Sequence, residues 1–345
     1  MTSVVVNTRN LGQHLTGVQR YTTELVTRLD GRVRAMAPRE PLPGFRGHAW
    51  EQLRLPRLVG RSLLWSPSNS GPLAVRRQVL TLHDVVPLDH PEWLGPRFAA
   101  WYRWLLPRLV RRVTRIIADS EFTRQRVLEI THITPDRVVT VPLGADTAFR
   151  RQATDVIEGV RKSLNIPSQR YVLSVGSLEP RKNLPRLLAA WRLLLPDLPE
   201  DVWLVLAGAP GRREIFGDVA FGEVPPRVHW TGWVPSEDLP ALYSGAIAFA
   251  YPSLYEGFGL PPLESMCCGV PALAANATAM PEVLGDAALL VDVTKPEEIA
   301  DGLARLISDD SLRACLGARG LAHAAQFTWE RTAEMTWAVL QESVD

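Results

Sequence analysis

At 345 residues the chain holds roughly two domains of about 150 residues each, enough to bury about three quarters of its unfolded surface without a disulfide or metal staple. Apolar residues at 46% and charged residues at 22% exclude global disorder, and no run of 18 uncharged apolar residues is present to span a bilayer. The net charge of +1 conceals an asymmetry: residues 1–150 carry 22 Arg, no Lys and 12 acidic groups, hence +10, leaving −9 for the remainder.

The contrast points to two domains with different surfaces, the first able to attract phosphates, an anionic membrane face or nucleic acid. The chain opens on Met1-Thr2-Ser3-Val4 with no basic n-region and no long apolar stretch, so no signal peptide is expected. Val4–Asn7 reads as a first strand. Thr16 and Gln19 then have capping-box spacing, and Gly17 permits close approach of a phosphate to the helix start. Val18, Tyr21, Thr22, Leu25, Val26 and Leu29 continue with helical period.

Leu63–Pro67 and Val79–Val86 follow as strands. His83 comes directly after Val79-Leu80-Thr81-Leu82, where it is either structural or at the mouth of a ligand cleft. Asp84 either orients it or caps the next turn. Arg97–Arg115 interleaves aromatics with six arginines. This segment is either an interfacial helix on an anionic membrane or an ordinary helix with Trp101, Leu105 and Leu109 as its core stripe. No nucleic-acid module motif accompanies it, and no nucleic-acid partner is expected. Ile116–Ser120 and Val138–Pro142 complete the strands of the first half.

A polar stretch, Arg150–Gln169, breaks the pattern, and Tyr171–Ser177 restarts a strand–glycine–helix unit. Arg181-Lys182 follows it, two adjacent cations suited to a diphosphate that leaves with about two negative charges. Lys182 is one of only three lysines in the chain. Leu187, Leu188, Trp191, Leu194 and Leu195 have helical period. Val202–Ala207, Val228–Thr231, Ala246–Tyr251, Val270–Ala275 and Ala287–Asp292 read as further strands. Most are uniformly apolar, as strands covered on both faces are, which gives parallel α/β architecture. Gly232 to Ser236, with Val234 between, can offer backbone groups to a nucleotide base, and Trp233 is either a lid or packing.

Tyr255-Glu256-Gly257-Phe258-Gly259-Leu260-Pro261-Pro262-Leu263-Glu264 is the most informative segment. Its glycines let a ligand approach the backbone, and the prolines mark a helix start. Glu256 before the helix and Glu264 within it either hold the diols of two sugar rings or are a surface glutamate and a capping one. Cys267, Cys268 and Cys315 lack metal-ligand spacing and fit reduced thiols in a cytoplasmic protein. Asp-x-Asp spacing is absent too, and no metal or cofactor is expected.

Glu-Gly-Phe-Gly-Leu-Pro-Pro-Leu-Glu resembles the signature of retaining GT-B glycosyltransferases of glycosyltransferase family 4. The resemblance extends over nearly the whole chain, through Gly17–Tyr21, His83-Asp84, Ala118–Thr123, Gly176–Asn183, Pro281–Gly285 and Phe327-Thr328-Trp329. It implies that Glu256 contacts the donor's sugar, that Glu264 holds the ribose, and that amides from Phe258 to Leu260 lie against sugar and diphosphate. His83 would support the transferred sugar. Many relatives carry arginine directly after the strand-ending glycine, where Ser177 stands here, so more of the diphosphate charge falls on Arg181 and Lys182. Relatives often have two glycines where Gly17 stands alone.

The expected architecture is a GT-B fold of two doubly wound, Rossmann-like parallel sheets facing a cleft. The expected boundaries are an acceptor-side domain over residues 1–160, a nucleotide-sugar domain over 161–327 and a terminal helix over 328–345 packing back toward the first. The expected catalytic residues are His83, Glu256, Arg181 and Lys182, with Gly17, Val234, Gly257, Phe258, Gly259, Leu260 and Glu264 completing the donor site. The function implied is transfer of a hexosyl unit, mannose from GDP-mannose by the pattern of Gly176–Asn183, to a glycan or lipid-linked acceptor. UDP-glucose remains open as donor. A catalytically silent sugar-nucleotide-binding regulator is the alternative from another class, disfavoured by the co-occurrence of all five charged site residues. An epimerase or phosphorylase is disfavoured by chain length and by the lack of a pyridoxal-phosphate lysine context.

Overall fold

A computed structural model of the chain describes residues 4–12, 17–208 and 223–344. The chain divides into two compact units. One comprises Met1–Pro91, Arg97–Gly144 and Phe327–Asp345, and the other Glu92–Pro96 and Ala145–Gln326. The helix Thr154–Ser163 therefore belongs to the second unit, which begins ahead of the expected boundary at residue 161.

In the first unit, strands β1 (Val4–Asn7), β2 (Val33–Met36), β3 (Leu63–Ser66), β4 (Gln78–Leu82), β5 (Arg115–Ala118) and β6 (Val138–Thr140) form one parallel sheet in the order β2-β1-β3-β4-β5-β6. Every residue of β1, β3 and β4 is buried, which is why these strands read as mainly apolar runs. The edge strand β2 exposes Arg34 and Ala35 and was not among the expected strands. The pairing of β4 stops at Leu82, so His83 lies just beyond the sheet.

The helix Pro96–Arg112 buries Ala99, Tyr102, Leu105, Leu106, Leu109 and Val110. The expected stripe of Trp101, Leu105 and Leu109 is corrected at its first member: Tyr102 faces the core, and Trp101 is only partly covered. The terminal helix Trp329–Glu342 is part of this unit. Thr328 caps it, Trp329 lies 6.2 Å from the Tyr21 ring, and the Thr332 hydroxyl donates to the Pro142 carbonyl at 2.8 Å. Gly144 makes room for it, since a Cβ there would stand 2.2 Å from the Trp329 backbone nitrogen.

In the second unit, β7 (Arg170–Val175), β8 (Val202–Ala207), β9 (Val228–Gly232), β10 (Ala248–Tyr251), β11 (Ala272–Ala275) and β12 (Leu289–Val291) are again all parallel. Their order is β12-β11-β10-β7-β8-β9. The helices Leu184–Leu194 and Pro296–Ser308 bury Leu187, Trp191, Ile299 and Leu303. The strand order reverses between β7 and β10. In open parallel sheets the crevice for a ligand forms outside the carboxyl ends of the strands at such a reversal. The chain leaves those two ends through Gly176–Asn183 and Pro252–Gly259, the segments richest in candidate residues.

Candidate active site

After β7 the chain passes Gly176 and Ser177 and winds through the short turn Pro180–Lys182. Asn183 closes the turn with φ 58 and starts the helix Leu184–Leu194, its side chain donating to the Val293 carbonyl at 2.8 Å. This path sends the Lys182 side chain back toward the sheet. Its Nζ lies 2.6 Å from the Tyr251 hydroxyl, at the end of β10, and 2.7 Å from Glu256 Oε1. Arg181 reaches the same carboxylate from the other side, with a nitrogen 2.7 Å from Oε2.

Glu256 is thus the hub of the second unit's strand ends. Beyond the two cations, Oε1 accepts from Tyr251 at 2.8 Å and from the Ser253 hydroxyl at 2.6 Å. Burial opposes its ionisation, but Arg181 and Lys182 outweigh burial and hold the carboxyl down at about 2. Burial, and then the charge of Arg181, lower the Lys182 pKa from its ordinary value. Arg181 Nε also donates to Glu179 Oε2 at 2.7 Å, and the Ser177 hydroxyl bonds to the other oxygen of Glu179. Glu179, Arg181, Lys182 and Glu256 together form a largely buried set whose formal charges cancel.

Sequence reasoning found Arg181, Lys182 and Glu256 but missed Glu179, Tyr251 and Ser253. Glu179 lay in plain view two positions before Arg181. The other two had only their place at and just past a strand end as a signal. Ser177, marked as a departure from the family pattern, supports Glu179 and through it the guanidinium.

Gly259 opens the helix Leu260–Cys267 with φ 102, and a Cβ on it would lie 2.3 Å from the Met280 methyl. Pro261 and Pro262 have no N–H, so the amides at this helix start that can serve an anion end at Leu260. Phe258 is buried beside them. Glu264 is buried on the same helix, and the Tyr243 hydroxyl donates to its Oε2 at 3.1 Å. A depression at the carboxyl end of β7, beside Lys182 and Tyr251, is also lined by Gly176, Ser177 and Trp230. Val234 is buried, while Trp233 is 69% exposed, which removes the packing alternative for that ring.

Two candidates belong to the first unit. Gly17 starts the helix Gly17–Arg28 and is exposed, whereas Thr16, its proposed cap, lies outside the described residues. His83 is buried, and Asp119 rather than Asp84 holds its ring, at 2.7 Å from Nδ1. Asp84 accepts from the Val86 amide at 3.2 Å and so shapes the next turn.

The model of Glycosyl transferases group 1 matches residues 156–322, and that of Glycosyltransferase Family 4 matches residues 64–149. The chain is 35% identical over 267 residues to the O-antigen chain mannosyltransferase B of Escherichia coli, covering 77% of this chain and 70% of that protein. It is 33% identical over 267 residues to the serotype-specific mannosyltransferase WbdA of Escherichia coli, covering 75% of this chain and 32% of WbdA. Among solved structures, Anabaena Alr3699/HepE in complex with UDP-glucose superposes with a TM-score of 0.75 at 18% identity, covering 99% of this chain and 100% of that one. WaaG, a glycosyltransferase involved in lipopolysaccharide biosynthesis, gives a TM-score of 0.74 at 16% identity, covering 98% of this chain and 99% of that one.

Proposed function

The chain belongs to glycosyltransferase family 4, and from that premise we propose that it moves a mannosyl unit from GDP-mannose to a hydroxyl of a glycan or lipid-linked acceptor, retaining the anomeric configuration and using no metal. The contact of Arg181, Lys182 and Glu256 at the carboxyl ends of β7 and β10 carries this reading. Cleavage of the sugar–phosphate bond places negative charge on the leaving diphosphate. Preorganised cations in a partly dry site stabilise that charge better than water does. Arg181 and Lys182 take this role, and Glu256 supports the transferred sugar. The acceptor hydroxyl attacks from the face the diphosphate leaves, and its proton passes to the departing diphosphate.

Gly257 to Leu260 line the sugar and diphosphate, Gly17 approaches the phosphates, and Val234 borders the base. His83 supports the sugar. Mannose is favoured by the names of the two mannosyltransferase relatives together with the Gly176–Asn183 pattern. The test is a panel of nucleotide sugars incubated with acceptor glycans, with and without EDTA, following diphosphate release and product anomer. GDP-mannose should be consumed fastest, with EDTA having little effect. Release restored only by magnesium or manganese would show that Arg181 and Lys182 do not carry the diphosphate charge alone.

Glu264 is assigned the ribose hydroxyls. Glu264→Ala should weaken binding of the free nucleoside diphosphate by about 1.5–3 kcal/mol, roughly ten- to 150-fold, because hydrogen bonds to a charged acceptor are lost. Calorimetry reads this directly, and unchanged affinity would take Glu264 off the ribose.

A peripheral contact with an anionic membrane on the cytoplasmic side completes the proposal; no nucleic acid is assigned as a partner. Among the described residues no helix is long and apolar enough to cross a membrane. The helix Pro96–Arg112 instead turns Trp104 outward, 43% exposed, with Arg108 stacked 5.0 Å from its ring. Phe45, 56% exposed, meets Trp101 at 6.2 Å. Binding to vesicles should rise with anionic lipid and fall with salt, each arginine near the surface contributing about 1 kcal/mol. Reversing the charges of Arg108, Arg111 and Arg112 should abolish vesicle binding and spare donor hydrolysis. Wild-type protein that ignores anionic vesicles at low salt would leave a soluble acceptor as the better reading.

A further inference from the structure

In the first unit the adjacent strands β3, β4 and β5 end side by side, and one imidazole joins their ends. His83 follows β4. Its Nδ1 lies 2.7 Å from an oxygen of Asp119, which follows β5. Its Nε2 lies 2.9 Å from the carbonyl oxygen of Pro67, which follows β3. The backbone amide of His83 donates to the Asn69 side chain at 2.7 Å, so the loop after β3 is held twice. The His83 and Asp119 side chains are both buried.

The partners of the two ring nitrogens constrain their protons. A carbonyl only accepts, so Nε2 must carry hydrogen to bond Pro67. With Nε2 protonated, a neutral imidazole would aim the Nδ1 lone pair at a carboxylate oxygen. A proton between Nδ1 and Asp119 removes that repulsion, and the pair is then neutral as a whole. Among the described residues, the other titratable groups facing the ring are Asp84 in its own loop and Tyr21 from the helix Gly17–Arg28, whose ring stands edge-on at 4.8 Å. Burial, and then the charge of Asp119, raise the Tyr21 pKa, which keeps its phenol neutral. Burial works against a charged imidazole, yet the charge and hydrogen bond of Asp119 overcome it and raise the His83 pKa.

We propose that Asp119 is a positioning residue that keeps both ring nitrogens of His83 protonated, so that His83 clamps the carboxyl ends of β3, β4 and β5 and takes no proton from an incoming hydroxyl. The catalytic side of this inference rests on the assignment of His83 to glycosyl transfer. Its structural side does not. Because the folded-state pKa of His83 is raised, the stability it lends is fully present below the unfolded value of about 6.5 and is lost as pH rises through the folded one.

Nitrogen-resolved NMR of the His83 ring at pH 8, where a free imidazole is neutral, tests the clamp on the full chain without substrate. Both nitrogens should be protonated in the wild type. Asp119→Asn should leave a proton on Nε2 alone, and Asp119→Glu should restore the second. A wild-type ring with one protonated nitrogen at pH 8 would overturn the proposal even if the variants do not fold, as would an Asp119→Asn ring that keeps both. In transfer assays, a wild-type rate that climbs as His83 loses its proton would mark it as a base and overturn the proposal. A protein that turns over no nucleotide sugar at all would instead sink the functional reading and leave the NMR result standing.

Discussion

Lys182→Ala is expected to lower turnover at saturating donor by about 10²–10³-fold, the range seen when one preorganised donor to a developing charge is removed. Two effects act together. The leaving diphosphate loses the cation assigned to it, whose side chain is 10% exposed and therefore weakly screened by water. Glu256 also loses one of the two cations that hold its carboxyl near 2, leaving Arg181 to compensate both Glu179 and Glu256. Lys182→Arg should not restore the rate, because a planar fork cannot meet Tyr251 and Glu256 as the compact ammonium does at 2.6 and 2.7 Å. Steady-state kinetics with a melting curve for each variant check this. Turnover within threefold of wild type would remove Lys182 from the diphosphate.

Glu256→Gln should separate catalysis from nucleotide binding. Turnover should fall by about a hundredfold or more, since the carboxylate assigned to the transferred sugar is gone. Affinity for the free nucleoside diphosphate should hold or tighten, because the formal charge of the set moves from zero to +1 while both cations stay. Weaker binding of the diphosphate would contradict the division of roles.

A stability signature accompanies this change. A carboxyl held at about 2 against an ordinary 4.5 contributes roughly 3 kcal/mol. The folded pKa is depressed, so that contribution is present above the unfolded value and lost as pH falls through about 2. The wild type's advantage over Glu256→Gln in unfolding free energy should therefore shrink below about pH 4.5.

The parallel α/β architecture was legible because most strands are buried on both faces and carry little but aliphatic side chains. The failures fall where that rule lapses. β2 is an edge strand of four residues with Arg34 and Ala35 exposed, so it lacks an apolar run. The run Val79–Val86 looked continuous, yet β4 ends at Leu82, opposite Ala118, where β5 also ends. The error at Trp101 is one of helical phase, a single residue or about 100° of rotation.

Candidate residues stood out where glycines and prolines bracket charge in a loop after a strand. Partnerships were not. Lys182 meets Tyr251 and Glu256 across 69 and 74 residues, and His83 meets Asp119 across 36. Nothing in one sequence fixes such pairs, so the nearer Asp84 was considered for a role that Asp119 fills.

The placement of Trp329–Glu342 bears on the order in which the protein can be made. The last long helix of the chain completes the first unit, covering part of Tyr21 and bonding the loop after β6 through Thr332. Between Gly144 and Phe327 the ribosome must synthesise all of Ala145–Gln326, which at about 5–20 residues per second occupies roughly 10 to 40 s. Through that interval the amino-terminal unit has every described strand of its sheet and an open flank, and by its end the unit made later has all of its described strands. The usual amino-to-carboxyl order of domain completion is inverted, and a chain cut short before Phe327 loses a wall of its first domain.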